Sequence, residues 1–120
     1  MSIRATARQW FARTHPSKGG KILTSRFYPP KDSWTGTDAW WITIPLTAVE
    51  QEGEVHLVCE QPGTAGFRYL RVPTAFLRRH LNGFSLLHDT RINLFLSAER
   101  KDEFTDRRGP GRLSFAQFEQ

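Results

Sequence analysis

The chain predicts an α+β fold: a mainly antiparallel twisted sheet or partly closed barrel of five to seven strands, carrying two or three short helices. Three observations lead there. Apolar residues alternate with a period of two over several short stretches. Turn residues separate those stretches at hairpin spacing. The best helical period opens at Pro73-Thr74 and is short. At 120 residues with fifteen aromatic side chains, the chain is expected to be a single domain, 1–120, able to bury one core.

Taken in order, residues 1–31 form a basic N-terminal helix or arm. They hold seven Lys or Arg and no Asp or Glu, and Ile3, Ala7, Trp10 and Phe11 share one helical face that can dock on a core. The same arginine-rich, acid-free composition also suits a mitochondrial transit peptide, the alternative for this segment. Trp40, Ile42 and Ile44 then point one way while Trp41 and Thr43 point the other, which makes a strand that Pro45 ends. Residues 46–51 read as a short helical turn stopped by Gly53.

Residues 54–61 alternate again, with Val55, Leu57 and Cys59 on one face and His56, Val58 and Glu60 on the other. The run Pro62-Gly63-Thr64-Ala65-Gly66 makes a hairpin connection to a strand at 67–72. One register sets Glu60 opposite Arg68 and Val58 opposite Leu70, an alignment the sequence alone does not fix. Pro73 and Thr74 open a helix whose apolar face is Phe76, Leu77, His80 and Leu81, and Asn82-Gly83 closes it. Residues 84–88 and 91–97 form a second hairpin turning at Asp89-Thr90.

Residues 98–108, capped by Ser97 and resting on Phe104, read as a charged surface helix. Gly109-Pro110-Gly111 breaks the chain, and residues 113–118 add a last apolar piece. The order strand, proline, short helix, glycine occurs twice, at 42–53 and 70–83; the ease with which proline starts a helix accounts for it without a duplication. The expected core is Trp40, Ile42, Ile44, Leu57, Leu70, Val72, Phe76, Leu77, Leu81, Ile92, Leu94 and Leu96.

Several function classes have no support. No apolar run approaches the roughly 18 residues of a membrane span, so no membrane partner is expected. A lone Cys59 makes no internal disulfide, which points to a reducing, cytoplasmic setting. The histidines at 15, 56, 80 and 88 lack ligand spacing and there is no second cysteine, so neither metal nor cofactor is expected. No serine or cysteine sits in a nucleophile motif.

Charge carries the functional signal. Residues 32–66 hold six acids and no base, residues 67–91 hold five Arg against one Asp, and the formal net charge is +5. Thirteen of the seventeen bases are arginine, whose planar fork binds phosphate and stacks on rings. The expected function is therefore a non-enzymatic DNA- or RNA-binding module. Arg4, Arg8, Arg13, Lys18, Lys21 and Arg26 are the candidate phosphate contacts, and Arg68, Arg71, Arg78 and Arg79 extend the footprint. Trp41 and Tyr69 are the candidate stacking groups.

The glycine-rich basic turns at 18–21 and 107–112 are further candidates for phosphate contact. Each signal also has a purely structural explanation: basic and acidic segments can pair within the fold, turns can simply be solvated, and a sheet covered on both faces would bury Trp41 and Tyr69. Two other functions remain open. One is a protein-interaction module for an acidic partner. The other is a small Mg-dependent nuclease using Asp89, Glu99 and Lys101.

Overall fold

The computed structural model describes residues 3–15, 20–63 and 66–120. Their elements run α1 (Ile3–Thr14), β1 (Lys21–Ser25), β2 (Phe27–Tyr28), β3 (Ala39–Pro45), α2 (Leu46–Val49), β4 (Glu54–Glu60), β5 (Phe67–Pro73), α3 (Thr74–Arg79), β6 (Ser85–Leu87) and β7 (Arg91–Ser97). Strands β1-β4-β5 form one sheet and β2-β3-β7-β6 the other; every pairing is antiparallel except β1 with β4. This is the expected α+β architecture in its open form, because the two sheets pack face to face without closing into a barrel. Among the described residues, no helix is long and apolar enough to cross a membrane.

Proline ends both long antiparallel pairs in the same way. Pro45 and Pro73 lie at φ −59° and −62°, values their rings impose and a helix start needs. Each ladder continues for one further bond: Leu46 N–H donates to the Thr90 carbonyl and Thr74 N–H to the Gly53 carbonyl, both at 2.9 Å. The chain then turns into α2 or α3, and the two helices pack on each other.

The inward rows meet between the sheets. Trp40, Ile42 and Ile44 of β3, Leu57 of β4, Leu70 and Val72 of β5, and Ile92, Leu94 and Leu96 of β7 are all buried there, as expected, with Leu77; Phe76 and Leu81 flank them, half-buried. Trp40 stacks on Phe104 at 5.0 Å. A second cluster lies on the other face of β4 and β5, where α1 lays Ala7 and Phe11 over Val58, Phe67 and Tyr69. The N-terminal helix is thus an integral layer of the fold.

Two readings of the sequence are corrected. The β4–β5 register pairs Cys59 with Arg68 and Leu57 with Leu70, one residue away from the Glu60–Arg68 alignment. Opposed residues must face the same side, and Val58 belongs to the α1 cluster while Leu70 belongs to the inter-sheet core, so pairing those two would have set inward against outward. A bond from Gln61 N–H to the Gly66 carbonyl extends the ladder beyond β4 and fixes the tighter alignment.

The charged helix expected over 98–108 is also not formed; the region holds only the 3₁₀ turn Arg100–Asp102. Ser97 Oγ donates to Asp102 at 2.6 Å and accepts the Glu99 N–H, while Ser97 and Thr105 bond through their backbones, folding the segment back on β7. Phe104 takes a left-handed φ of 64°, which aims its ring into the core. Burying that ring outweighs the weak helix propensity of a charged segment.

Arg107 locks the returning segment, reaching Asp102 at 2.8 Å and Glu99 at 2.7 Å. The Arg107 hydrogen bonds hold the Asp102 carboxyl below its ordinary range. A carboxyl pKa lowered by folding adds stability above the unfolded value near 4 and loses it as pH falls through the folded value. Asp102→Asn is therefore expected to cost about 1 kcal/mol at pH 7. The gap from wild type should shrink below about pH 4, read from urea melts across pH.

Candidate nucleic-acid interface

A basic groove runs between the edge of one sheet and the face of the other. The chain crosses between the sheets at Arg26, and the join is fixed there by Ser25, whose Oγ accepts the Trp41 N–H at 2.9 Å and donates to the Arg26 carbonyl at 2.7 Å. The groove, of about 420 Å³, lies along β1 and β3 and is lined by Arg4 of α1, Lys21 of β1, Arg26, and Arg91 at the start of β7. Among the described residues, no Asp or Glu contributes to its walls. None of these four cations makes an ion pair among the described residues. Arg91 is steadied by Thr43 Oγ1 at 3.1 Å, and Arg26 lies over the Tyr28 ring at 4.8 Å.

Trp41 stands at the groove's edge, 40% exposed. The alternation that sends Trp40 and Ile42 inward sends Trp41 outward, opposite Phe95 of β7. Its indole stacks on Phe95 at 5.8 Å with nearly parallel planes, and its Nε1–H donates to Asn93 Oδ1 at 2.6 Å. The ring is therefore held in one orientation. Tyr28 meets it edge-on at 6.5 Å, Trp34 packs on Phe95 from beyond at 5.4 Å, and Arg108 lies 4.2 Å over Trp34.

The remaining candidate residues divide sharply, because many of the named bases are already engaged. Arg68 is clamped between Glu119 at 2.7 Å and Glu103 at 2.6 Å, and those hydrogen bonds, Glu119 foremost, raise its pKa further. Arg71 pairs with Glu54 at 3.1 Å. Arg78 donates to the carbonyls of Val49 and Gln51 at 2.8 and 3.0 Å, serving the end of α2. Arg79 is exposed on α3 and does not line the groove. These four do not extend the footprint into the groove.

Tyr69 is corrected as a stacking group: it is buried under α1, against Phe11 at 5.0 Å, with its hydroxyl 2.7 Å from His56 Nδ1. A helix covering that face of the sheet removes the ring from any ligand. On α1, Arg8 lies one turn from Arg4 and prolongs the basic side, whereas Arg13 falls about 180° round the helix from Arg4. Lys18 lies outside the described residues.

The basic glycine turn at 107–112 does not offer its amides to phosphate. Gly109 N–H donates to Asp106 at 3.1 Å and Gly111 N–H to the Gly83 carbonyl at 2.9 Å. A Cβ on Gly109 would overlap the Gly83 carbonyl and stand 2.9 Å from Phe84 Cα, so glycine is required there for backbone contact within the fold. Asp89 and Glu99, considered as metal-holding acids, lie beyond opposite ends of β7, separated by roughly 20 Å of strand. With Glu99 paired to Arg107, the Asp89–Glu99–Lys101 constellation is not assembled. Cys59 is buried, and burial raises its thiol pKa, which leaves it neutral and unreactive.

Searches of protein families, curated proteins and solved structures found no match to the chain. Four residues not named as candidates from the sequence complete the site, Arg91, Tyr28, Trp34 and Phe95, together with Arg108 from the basic turn at 107–112. Phe95 is detectable as the one ring at an outward position of a strand whose inward row is Ile92, Leu94 and Leu96. Nothing local marks Arg91 as a neighbour of Arg4, since the two are joined only by the packing of one sheet on the other.

Proposed function

We propose that the protein binds nucleic acid, seating a phosphate backbone in the groove of Arg4, Lys21, Arg26 and Arg91. The observation that carries this proposal is the convergence of these four cations, from α1, the start of β1, the β1–β2 crossing and β7, on a concave surface where no described carboxylate pairs with them. Unneutralised guanidinium groups in a groove attract a polyanion and release its counterions. Trp41 at the edge supplies a ring where a base would emerge. The lone buried Cys59 suits a reducing, cytoplasmic setting.

Fluorescence anisotropy with a labelled mixed-sequence oligonucleotide, titrated from about 50 to about 300 mM salt, tests this. Four phosphate contacts predict a log–log salt slope of about −3 to −4, and Arg91→Ala should bring it about one nearer zero. A complex that ignores salt, or none at all, rejects the proposal. Salt-sensitive binding of an acidic peptide in place of the oligonucleotide would move the assignment to a protein-interaction module.

A further inference from the structure

The sheet face beside the groove carries more exposed ring surface than phosphate binding requires. Trp34 is 60% exposed and Trp41 40%, both among the most exposed of the large hydrophobic residues described. They flank the largely buried Phe95, and with Tyr28 they floor a depression of about 350 Å³ whose rim carries Lys31, Asp32 and Ser33, the one carboxylate there standing beside a lysine. The outer face of the other sheet is closed by α1, whereas on this one Trp34 and Arg108 lie over Phe95 and leave the rings of Trp34 and Trp41 exposed.

Resting on the groove assignment above, we infer that this depression takes unpaired bases, so the ligand is a single-stranded nucleic acid with its backbone in the basic groove and its bases on Trp41 and Trp34. Continuity supports the assignment, since Tyr28 and Trp41 line both the groove and the depression. Preorganisation supports it as well: Trp41 is held by Asn93 and Phe95, so little side-chain freedom is lost on stacking. Charge completes the case, because Arg26 lies 4.8 Å over Tyr28 and Arg108 4.2 Å over one face of Trp34, so cations border the rings. A duplex presents phosphates and base edges but keeps its base faces covered by their neighbours. It could use the groove and not the rings.

The test uses the full chain, a labelled single strand of about 12 nucleotides in DNA and RNA forms, and the DNA duplex of the same sequence. At least one single strand should bind about tenfold tighter than the duplex. Trp34→Ala should weaken that single strand about tenfold with the salt slope unchanged, and Trp34→Phe should restore most of the loss. Thermal melts of both variants confirm that an exposed site has been altered without unfolding. Duplex bound as tightly as either single strand, or single-strand affinity indifferent to Trp34→Ala, overturns this inference and leaves the groove assignment standing if Arg91→Ala still weakens binding. Absence of binding to every oligonucleotide overturns both.

Discussion

Asp106→Ala is expected to destabilise the protein by about 3 kcal/mol, the largest effect anticipated for a single polar substitution here. Asp106 is fully buried, yet its carboxylate accepts backbone N–H bonds from Phe95 and Arg108 at one oxygen and from Gly109 at the other, each at 3.1 Å. Burial pushes its pKa up and the three N–H groups oppose that shift. Alanine would strand those donors away from water, and an unsatisfied buried donor costs more than a satisfied bond contributes. Asp106→Asn should fall between the two, because it keeps an acceptor for Phe95 and Arg108 but turns an amide donor toward Gly109. Guanidinium melts measure the loss; a change below about 0.5 kcal/mol would show that the loop does not depend on this carboxylate. The consequence reaches the site, since the same loop places Arg108 over Trp34.

Phe11→Ala is expected to undock α1. The ring is buried against Tyr69, His56 and His15 at 5.0, 5.1 and 5.4 Å, and it is the largest fully buried contribution of the helix to the outer cluster. Truncating a buried phenylalanine costs about 3–5 kcal/mol. A 12-residue helix has little stability of its own once its docking is lost. The effect should be regional: hydrogen exchange should accelerate across α1 while the β3–β7 amides keep their protection. Wild-type protection throughout α1 would contradict the prediction. Loss of docking also removes Arg4 from the groove, so oligonucleotide affinity should fall with a shallower salt slope.

The two strand–proline–helix units show how far local pattern reaches. Alternation across 40–44 and 92–96, with Pro45 and Pro73 as stops, is enough to define the strands and the inward core row. The short β1 and β2 are not visible in this way. β2 is only Phe27–Tyr28, too short to alternate, and β1 mixes polar and apolar residues and is a strand because it lies along β4, paired Lys21 with Val55 through Ser25 with Cys59. The segment 98–108 misleads for a related reason: its local signals favour a helix, but Phe104 is satisfied by burial against Trp40, far along the chain, and Asp106 bonds back to Phe95 of β7.

By itself, the order of residues determined the fold class, the antiparallel hairpins, the identity of most core side chains and the surplus of arginine. Only the tertiary structure decided which of those arginines are available. Arg68 meets Glu103 and Glu119 from the distant C-terminal region, while Arg4, Lys21, Arg26 and Arg91 meet no acid among the described residues. It likewise decided that Tyr69 lies under α1 and Trp41 does not. The reason is physical: periodicity tells which face of a strand a side chain occupies, but whether that face is covered, and whether a charge is neutralised, depends on partners brought together by packing across the whole chain.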